Sequence, residues 1–145
     1  MATRAPAASR LSRGQLRVFI LEDSLSRRAD LGRVLGDAQL TVAVSFGDAV
    51  ARFQPPYDAL CLDHDLGSPE RDRTGVANNG FSFVRWLPEA SDGFQPLVFV
   101  HTASPMAGQA MGRELLAKGF DPRVMPFGQA MLAALCEALR GRTRS

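Results

Sequence analysis

The residues best suited to chemistry in this chain stand directly after three short apolar runs. They are Glu22-Asp23, then Asp63-His64-Asp65, and then His101-Thr102-Ala103-Ser104. The chain contains only two histidines, and both lie in these segments. Carboxylates that lie close together repel one another and raise each other's pKa unless a cation lies between them. If the three segments meet in the fold, they predict a cation site lined by histidines.

The acidic residues are the predicted metal ligands. A hard cation such as Mg²⁺ prefers oxygen ligands and keeps several of its waters, so it suits a cluster of carboxylates. We predict Asp23 and Asp63 as ligands, directly or through water, with Glu22 or Asp65 as a third. In the competing interpretation Glu22 or Asp23 only caps the helix that follows, which would leave the rest of the cluster unexplained.

His64 and His101 are predicted to act as general acid and base, because imidazole titrates near neutral pH. Asp65, next to His64, is a third catalytic candidate. Either histidine could instead add a nitrogen ligand for a transition metal. The alternative is a pair of structural histidines whose hydrogen bonds are satisfied inside the fold.

A predicted anion site adjoins the second histidine. Ser104-Pro105 begins a predicted helix, and the free amide N–H groups and the dipole of a helix N-terminus attract anions. The hydroxyls of Thr102 and Ser104 add donors, so both residues are predicted to bind phosphate. In the simpler interpretation Ser104 is an ordinary N-cap.

Five predicted strands alternate with five predicted helices and would position these segments. The strands are 16–22, 40–44, 57–63, 96–101 and 122–126, the helices are 24–35, 47–53, 80–87, 104–118 and 129–139, and a polar loop covers 65–79. Strands that are nearly continuous apolar runs are typical of a parallel sheet covered on both faces. The pattern predicts an α/β fold with a flavodoxin-like, doubly wound sheet of five parallel strands in the order 2-1-3-4-5. Ligands of such sheets bind at the carboxyl ends of the strands, where strands one, three and four end in the residues named above.

Length and charge place these elements in one domain. A chain of 145 residues suits a single compact domain. Of its 17 basic residues, seven arginines lie near the two ends, which leaves ten basic residues against 15 acidic ones in the body. We expect a disordered basic tail at 1–15, the folded domain at 16–141 and a basic tail end at 142–145. The acidic body does not favour nucleic-acid binding by the folded part.

The composition predicts a cytoplasmic protein. No apolar run approaches the roughly 18 residues that span a membrane, and no secretory signal is visible at the start of the chain. Cys61 and Cys136 stand in apolar contexts and are predicted to be reduced, buried thiols. We therefore expect no membrane contact.

Parts of this pattern resemble the receiver domains of response regulators. Glu22-Asp23 and Asp63 resemble the acid pair and the phospho-acceptor aspartate of that family, and Met125-Pro126-Phe127 resembles its Lys-Pro-Phe segment. Two positions differ. Met125 replaces the lysine that contacts the aspartyl phosphate, and His101 stands where the family has its switch threonine or serine. These departures argue against ordinary phosphorelay signalling.

A diverged branch, the cyclic-phosphate processing receiver domains, is similar over about residues 16–127. Its pattern of Leu-Asp-His-Asp-Leu-Gly and later His-Ser-Ala-Asn-Pro resembles residues 62–67 and 101–105, with Thr102 for serine and Ser104 for asparagine. The resemblance implies a receiver fold that hydrolyses or binds cyclic phosphates on nucleotides or RNA ends.

The leading hypothesis is a metal-assisted phosphoesterase, or a binder, of a small cyclic phosphate ester, with nucleic acid as a partner only in the form of an RNA end. The alternative is an atypical receiver that signals by protein contact, with Asp63 as phospho-acceptor. The last predicted helix could then supply a homodimer face, although core packing explains its apolar stripe equally well. That stripe consists of Met131, Leu132, Leu135 and Leu139.

Overall fold

The computed structural model describes residues 15–66, 70–71 and 77–142. The predicted tails therefore lie outside the described residues, except at positions 15 and 142. Much of the predicted loop at 65–79 lies outside them as well.

The described chain alternates strands and helices around one five-stranded sheet. In chain order the elements are β1 (Arg17–Leu21), α1 (Leu25–Leu35), β2 (Gln39–Ala43), α2 (Phe46–Arg52), β3 (Ala59–Asp63), β4 (Glu70–Arg71), β5 (Ala77–Asn78), α3 (Gly80–Trp86), β6 (Leu97–His101), α4 (Pro105–Ala117), β7 (Pro122–Met125) and α5 (Gln129–Arg140). The sheet has the order β2-β1-β3-β6-β7, and every neighbouring pair is parallel. This confirms the predicted fold and strand order, with boundaries that differ by at most two residues.

No helix within the described ranges is long and apolar enough to cross a membrane.

A short antiparallel ladder interrupts the segment that was predicted as a plain polar loop. Strands β4 and β5 pair through Glu70 with Asn78 and through Arg71 with Ala77. The prediction of a loop without strands is therefore wrong at these positions. Two-residue strands show no alternation of apolar and polar residues, so the sequence carries no periodic signal for them.

The central strands are apolar on both sides because each side of the sheet faces its own core. Phe19, Leu60 and Val100 belong to the core that helices α2, α3 and α4 cover. Ile20, Cys61 and neighbouring apolar residues belong to the core that helices α1 and α5 cover. Adjacent residues of a strand point to opposite faces, so consecutive apolar residues serve both cores. The strand ends are held between these two layers.

The apolar stripe of α5 lies in the second core. Its four residues are at most 3% exposed, and they pack with residues of α1 and the sheet. Core packing therefore accounts for the stripe. A homodimer stays a prediction, and it would have to use other residues of the helix.

A serine N-cap begins α1, which follows Glu22 and Asp23, and another begins α4, which follows His101 and Thr102. The Oγ of Ser24 accepts a hydrogen bond from Arg27 N at 3.3 Å and begins α1. The Oγ of Ser104 accepts one from Ala107 N at 3.2 Å and begins α4. Since Ser24 fills the cap position of α1, neither Glu22 nor Asp23 is the N-cap of that helix.

Gly80 allows α3 to begin directly against the end of β3. Its backbone N–H donates to the carbonyl of His64 at 3.0 Å. A Cβ at position 80 would lie 2.0 Å from the carbonyl oxygen of Asp63. Since that neighbour is backbone, it can move aside only if the end of β3 moves with it.

We predict that Gly80→Ala lowers the free energy of unfolding by about 1–3 kcal/mol, because it overpacks the contact with β3. Gly32→Ala is the matched control: a Cβ there meets nothing within 4 Å, and alanine should stabilise α1 by about 0.5–1 kcal/mol. Urea denaturation of the two variants measures both changes. Equal stability of the two variants would contradict the close contact at position 80.

Candidate functional site

Three ionisable side chains meet at the carboxyl edge of the sheet. Glu22 directly follows β1, Asp63 ends β3 and His101 ends β6. Asp63 and His101 are register partners across the β3–β6 ladder. One ligand atom of each residue lies within 4.8 Å of the other two. Among the described residues, this is the group of at least three acids, histidines or cysteines that could hold a metal ion.

This buried triad of Glu22, Asp63 and His101 is almost completely removed from solvent. Glu22 and His101 are 0% exposed, and Asp63, the predicted phospho-acceptor, is 2% exposed. Charged side chains are rarely buried to this degree unless they are paired or bind a metal. The triad is therefore not an ordinary group of surface acids.

Backbone N–H groups satisfy only part of the hydrogen-bonding capacity of the triad. Glu22 Oε2 accepts a hydrogen bond from Ser24 N at 3.0 Å, and Asp63 Oδ1 accepts one from Asp65 N at 3.1 Å. Glu22 Oε1 and both ring nitrogens of His101 have no hydrogen-bond partner within the described part of the chain. Buried polar atoms are normally paired, so unpaired atoms on two neighbouring buried side chains are consistent with a ligand that binds between them.

Burial sets the charge state of the triad. Desolvation raises the pKa of Asp63 to about 8, and the nearby charge of Glu22 adds to that rise. Desolvation also raises the pKa of Glu22, and it lowers the pKa of His101 to about 4, helped by the charge of Arg27. The imidazole is therefore neutral at pH 7, and its 3.5 Å approach to Glu22 Oε1 is not an ion pair. A neutral imidazole beside two crowded carboxyl groups suits a bound cation.

The cation-free protein should lose stability as the pH rises from 6.5 to about 8. His101 opposes this loss in the lower part of the window, because at pH 6.5 the unfolded imidazole is still half-protonated whereas the folded one is neutral; this opposing contribution fades by about pH 7.5. Folded Asp63 keeps its proton up to about pH 8, whereas the unfolded state has released it. On balance the folded state binds more protons across this window, and stability falls with a slope of up to about 1 kcal/mol per pH unit.

Urea denaturation in the presence of a chelator, at several pH values across this window, measures that slope. Asp63→Asn should flatten it, and Asp92→Asn, in an exposed turn, should leave it unchanged. A slope in the Asp63→Asn protein equal to that of the wild type would contradict the assignment to Asp63.

A second, more exposed pair lies beside the triad. His64 Nδ1 is 2.9 Å from Asp65 Oδ1, and their side chains are 22% and 67% exposed. Thr102 Oγ1 donates to Asp65 Oδ2 at 3.4 Å. Asp65 therefore holds the imidazole of His64 in an orientation that solvent can reach. This dyad of His64 and Asp65 resembles a base with its orienting carboxylate.

The two predicted phosphate-binding hydroxyls already take part in internal hydrogen bonds. Thr102 Oγ1 accepts from Ser104 N at 3.1 Å in addition to its bond with Asp65. Ser104 acts as the N-cap of α4, which confirms the simpler interpretation of that residue. Contacts of either hydroxyl with phosphate stay a prediction.

The structure separates the predicted metal ligands. Glu22 and Asp63 belong to the triad, whereas Asp23 and Asp65 do not. Asp23 is half-buried, and its role as a ligand stays a prediction. His101, predicted as an acid or base, takes the third position beside the two carboxyl groups.

Arg27 is a charged residue of this region that the sequence interpretation missed. Its guanidinium carbon lies 5.2 Å from the centroid of the Phe127 ring, and that ring packs edge-on against His101 at 5.4 Å. Its charge counteracts the effect of burial on the pKa of both Glu22 and Asp63. The only signal in the sequence was an arginine one turn into α1, and solvated arginines are common at such positions.

Met125 lies next to His101 in the β6–β7 register and packs against the second core. It provides no charge. Arg27, which approaches from α1, is therefore the cation whose charge acts on all three residues of the triad.

Comparisons with known proteins agree with this architecture. The family model of the cyclic-phosphate processing receiver domain matches residues 18–117. A search of curated proteins found no match.

Several solved structures share the fold. The non-phosphorylated HemR receiver domain from Leptospira biflexa is 19% identical, with a TM-score of 0.62 over 90% of this chain and 98% of that one. A CheY-like receiver domain protein from Methanospirillum hungatei is 14% identical, with a TM-score of 0.60 over 88% and 96%. A response regulator from Burkholderia pseudomallei, solved with a phosphorylated aspartic acid and a calcium ion, is 16% identical, with a TM-score of 0.60 over 86% and 66%. At these identities the likeness shows the fold alone.

Proposed function

Because this chain belongs to the cyclic-phosphate processing receiver domain family, we propose that it binds a small cyclic phosphate at the carboxyl edge of its sheet and hydrolyses it. The observation that carries the proposal is the buried triad, with its three unpaired polar atoms, next to the accessible dyad of His64 and Asp65. The first group is suited to hold a cation, and the second is suited to move a proton. A metal-assisted phosphoesterase requires both.

Exposure assigns different roles to the two histidines. His101 has no exposed surface, so a substrate cannot reach it as a general base. His64 is accessible and oriented by Asp65, so we assign proton transfer to His64. This proposal narrows the predicted sharing of the acid and base roles to His64.

The proposed reaction is attack of water on the phosphorus of a 2′,3′-cyclic phosphate. The imidazole of His64 takes a proton from the water as the new P–O bond forms. The bond from phosphorus to one ribose oxygen breaks, and the imidazolium returns the proton to that oxygen. The product is a phosphate monoester with a free neighbouring hydroxyl, so atoms and charge balance.

The acids and Arg27 would balance the charge of the phosphate. A divalent cation bound by Glu22 and Asp63 would neutralise a phosphoryl oxygen; Mg²⁺ is the ion that carboxylates alone would favour. Arg27 lies near enough to lower the pKa of Asp63, and a guanidinium suits phosphate geometry. The substrate class is a nucleotide or an RNA end that carries a cyclic phosphate.

Both cysteines are free thiols in the structure. Cys61 is buried as predicted, whereas Cys136 is only half-buried, which corrects the prediction for that residue. Free thiols suit a reducing compartment, so the cytoplasm remains our proposed location.

Substitution of the dyad tests the reaction. His64→Ala should lower kcat for a 2′,3′-cyclic nucleotide by about 10²-fold or more, because it removes the general base. Asp65→Asn should lower it less, because the base remains but is no longer oriented by a carboxylate. Turnover is followed by phosphorus NMR, which separates cyclic ester from monoester, and Asp92→Asn serves as the control. Wild-type turnover by His64→Ala would contradict the role of His64.

Arg27→Gln should raise KM for the cyclic phosphate by about tenfold while kcat falls less, since it removes a charge that attracts the anion. Arg33→Gln on the same helix is the matched control, because Arg33 is exposed and pairs with Asp30. Steady-state kinetics at fixed ionic strength give both constants. The same KM in the two variants would show that Arg27 does not contact the phosphate.

A further inference from the structure

We propose that His101 binds the metal directly together with Glu22 and Asp63, and that the site therefore prefers a transition-metal ion such as Zn²⁺ or Mn²⁺ to Mg²⁺. This inference rests on the cation site of the proposed function and specifies which ion it holds. It concerns the ligand set, so it can be tested without any measurement of turnover.

The spacing of the donor atoms is that of a coordination shell. Ligand atoms about 2.1 Å from a tetrahedral ion lie about 3.4 Å from one another. His101 Nδ1 lies 3.5 Å from Glu22 Oε1, and ligand atoms from all three residues lie within 4.8 Å of one another. Small rotations of the Asp63 carboxyl group would complete a site with three protein ligands.

The unpaired state of His101 argues against a purely structural role. A structural histidine in a core normally donates from one ring nitrogen and accepts at the other. Both nitrogens of His101 are buried without a partner among the described residues, and an unpaired buried polar atom costs about 1–3 kcal/mol. Phe127 packs edge-on against the ring and fixes its plane without providing a hydrogen bond. A metal ion at the triad would occupy one of these nitrogens.

The imidazole changes which ion is preferred. Mg²⁺ takes oxygen ligands and retains its waters, so a buried nitrogen ligand gives it little advantage. Imidazole is a common ligand of zinc and of other first-row transition metals. A site with two carboxylates and one imidazole therefore favours such an ion beyond the general order of metal affinities. The position of His101 beside Asp63 in the strand register makes the imidazole part of the site.

The direct test is pulsed electron paramagnetic resonance of the full-length protein with Mn²⁺ as the probe. A coordinated imidazole gives a ¹⁴N modulation in the Mn²⁺ signal. We expect this modulation in the wild type and in His64→Asn, and its loss in His101→Asn. The chain has only these two histidines, so the two variants assign the ligand. Mn²⁺ that binds without ¹⁴N coupling, or coupling that survives in His101→Asn, would overturn the proposal.

Isotope labelling gives the same assignment without a substitution in the triad. In His64→Asn protein that contains ¹⁵N-histidine, His101 is the sole labelled residue. The ¹⁴N modulation should then disappear, because its source has become ¹⁵N. Persistence of the ¹⁴N modulation would overturn direct coordination by His101, even if the His101→Asn protein does not fold.

Calorimetric titrations with Zn²⁺ and with Mg²⁺ test the preference itself. His101→Asn should weaken Zn²⁺ binding by about tenfold or more and change Mg²⁺ binding much less. Equal losses for the two ions would overturn the proposed preference. Nitrogen coordination without turnover of cyclic phosphates would contradict the proposed reaction but support the metal site. Turnover with a cation bound only through oxygen would support the reaction but contradict coordination by His101.

Discussion

Burial of two carboxyl groups beside an unpaired imidazole is the constraint on which the rest of the structure depends. Glu22, Asp63 and His101 are removed from solvent at one edge of the sheet. A backbone N–H donates one hydrogen bond to Glu22 and another to Asp63, and these replace only part of the hydrogen bonds that water would form. Two apolar layers hold the three strand ends in place. The side chains therefore cannot relax into solvent, and the partner that we propose is a cation bound to one donor atom of each.

The turn that follows β3 connects this buried triad with the exposed dyad. The amide of Asp65 donates to Asp63, while the carboxylate of Asp65 holds His64. A single residue thus contacts both the proposed cation site and the proposed proton carrier. Gly80 allows α3 to pack directly against this turn, and Thr102 ties it to the beginning of the next helix. The proposed division into charge neutralisation and proton transfer follows from how deeply each residue is buried.

The sequence predicted the sheet because its strands are continuous apolar runs, and it predicted the convergence of Glu22, Asp63 and His101 because each follows or ends a parallel strand. Depth of burial could not be predicted, since the residues around a strand end have no fixed alternation. The sequence therefore predicts the same roles for His64 and His101, although His64 is accessible and His101 is buried. Arg27 was missed because its contact with Phe127 joins distant parts of the chain. The ladder of β4 and β5 was too short to leave a pattern.

We propose above that a cyclic phosphate binds at a cation held by the buried triad. Phosphorus relaxation of a 2′,3′-cyclic nucleotide in the presence of Mn²⁺-loaded protein measures this, because the acceleration by the ion falls with the inverse sixth power of its distance from the phosphorus. We expect strong enhancement with the wild type and its loss with Asp63→Asn, which lacks a ligand. Mn²⁺ bound to the wild-type protein without any enhancement of phosphorus relaxation would contradict it.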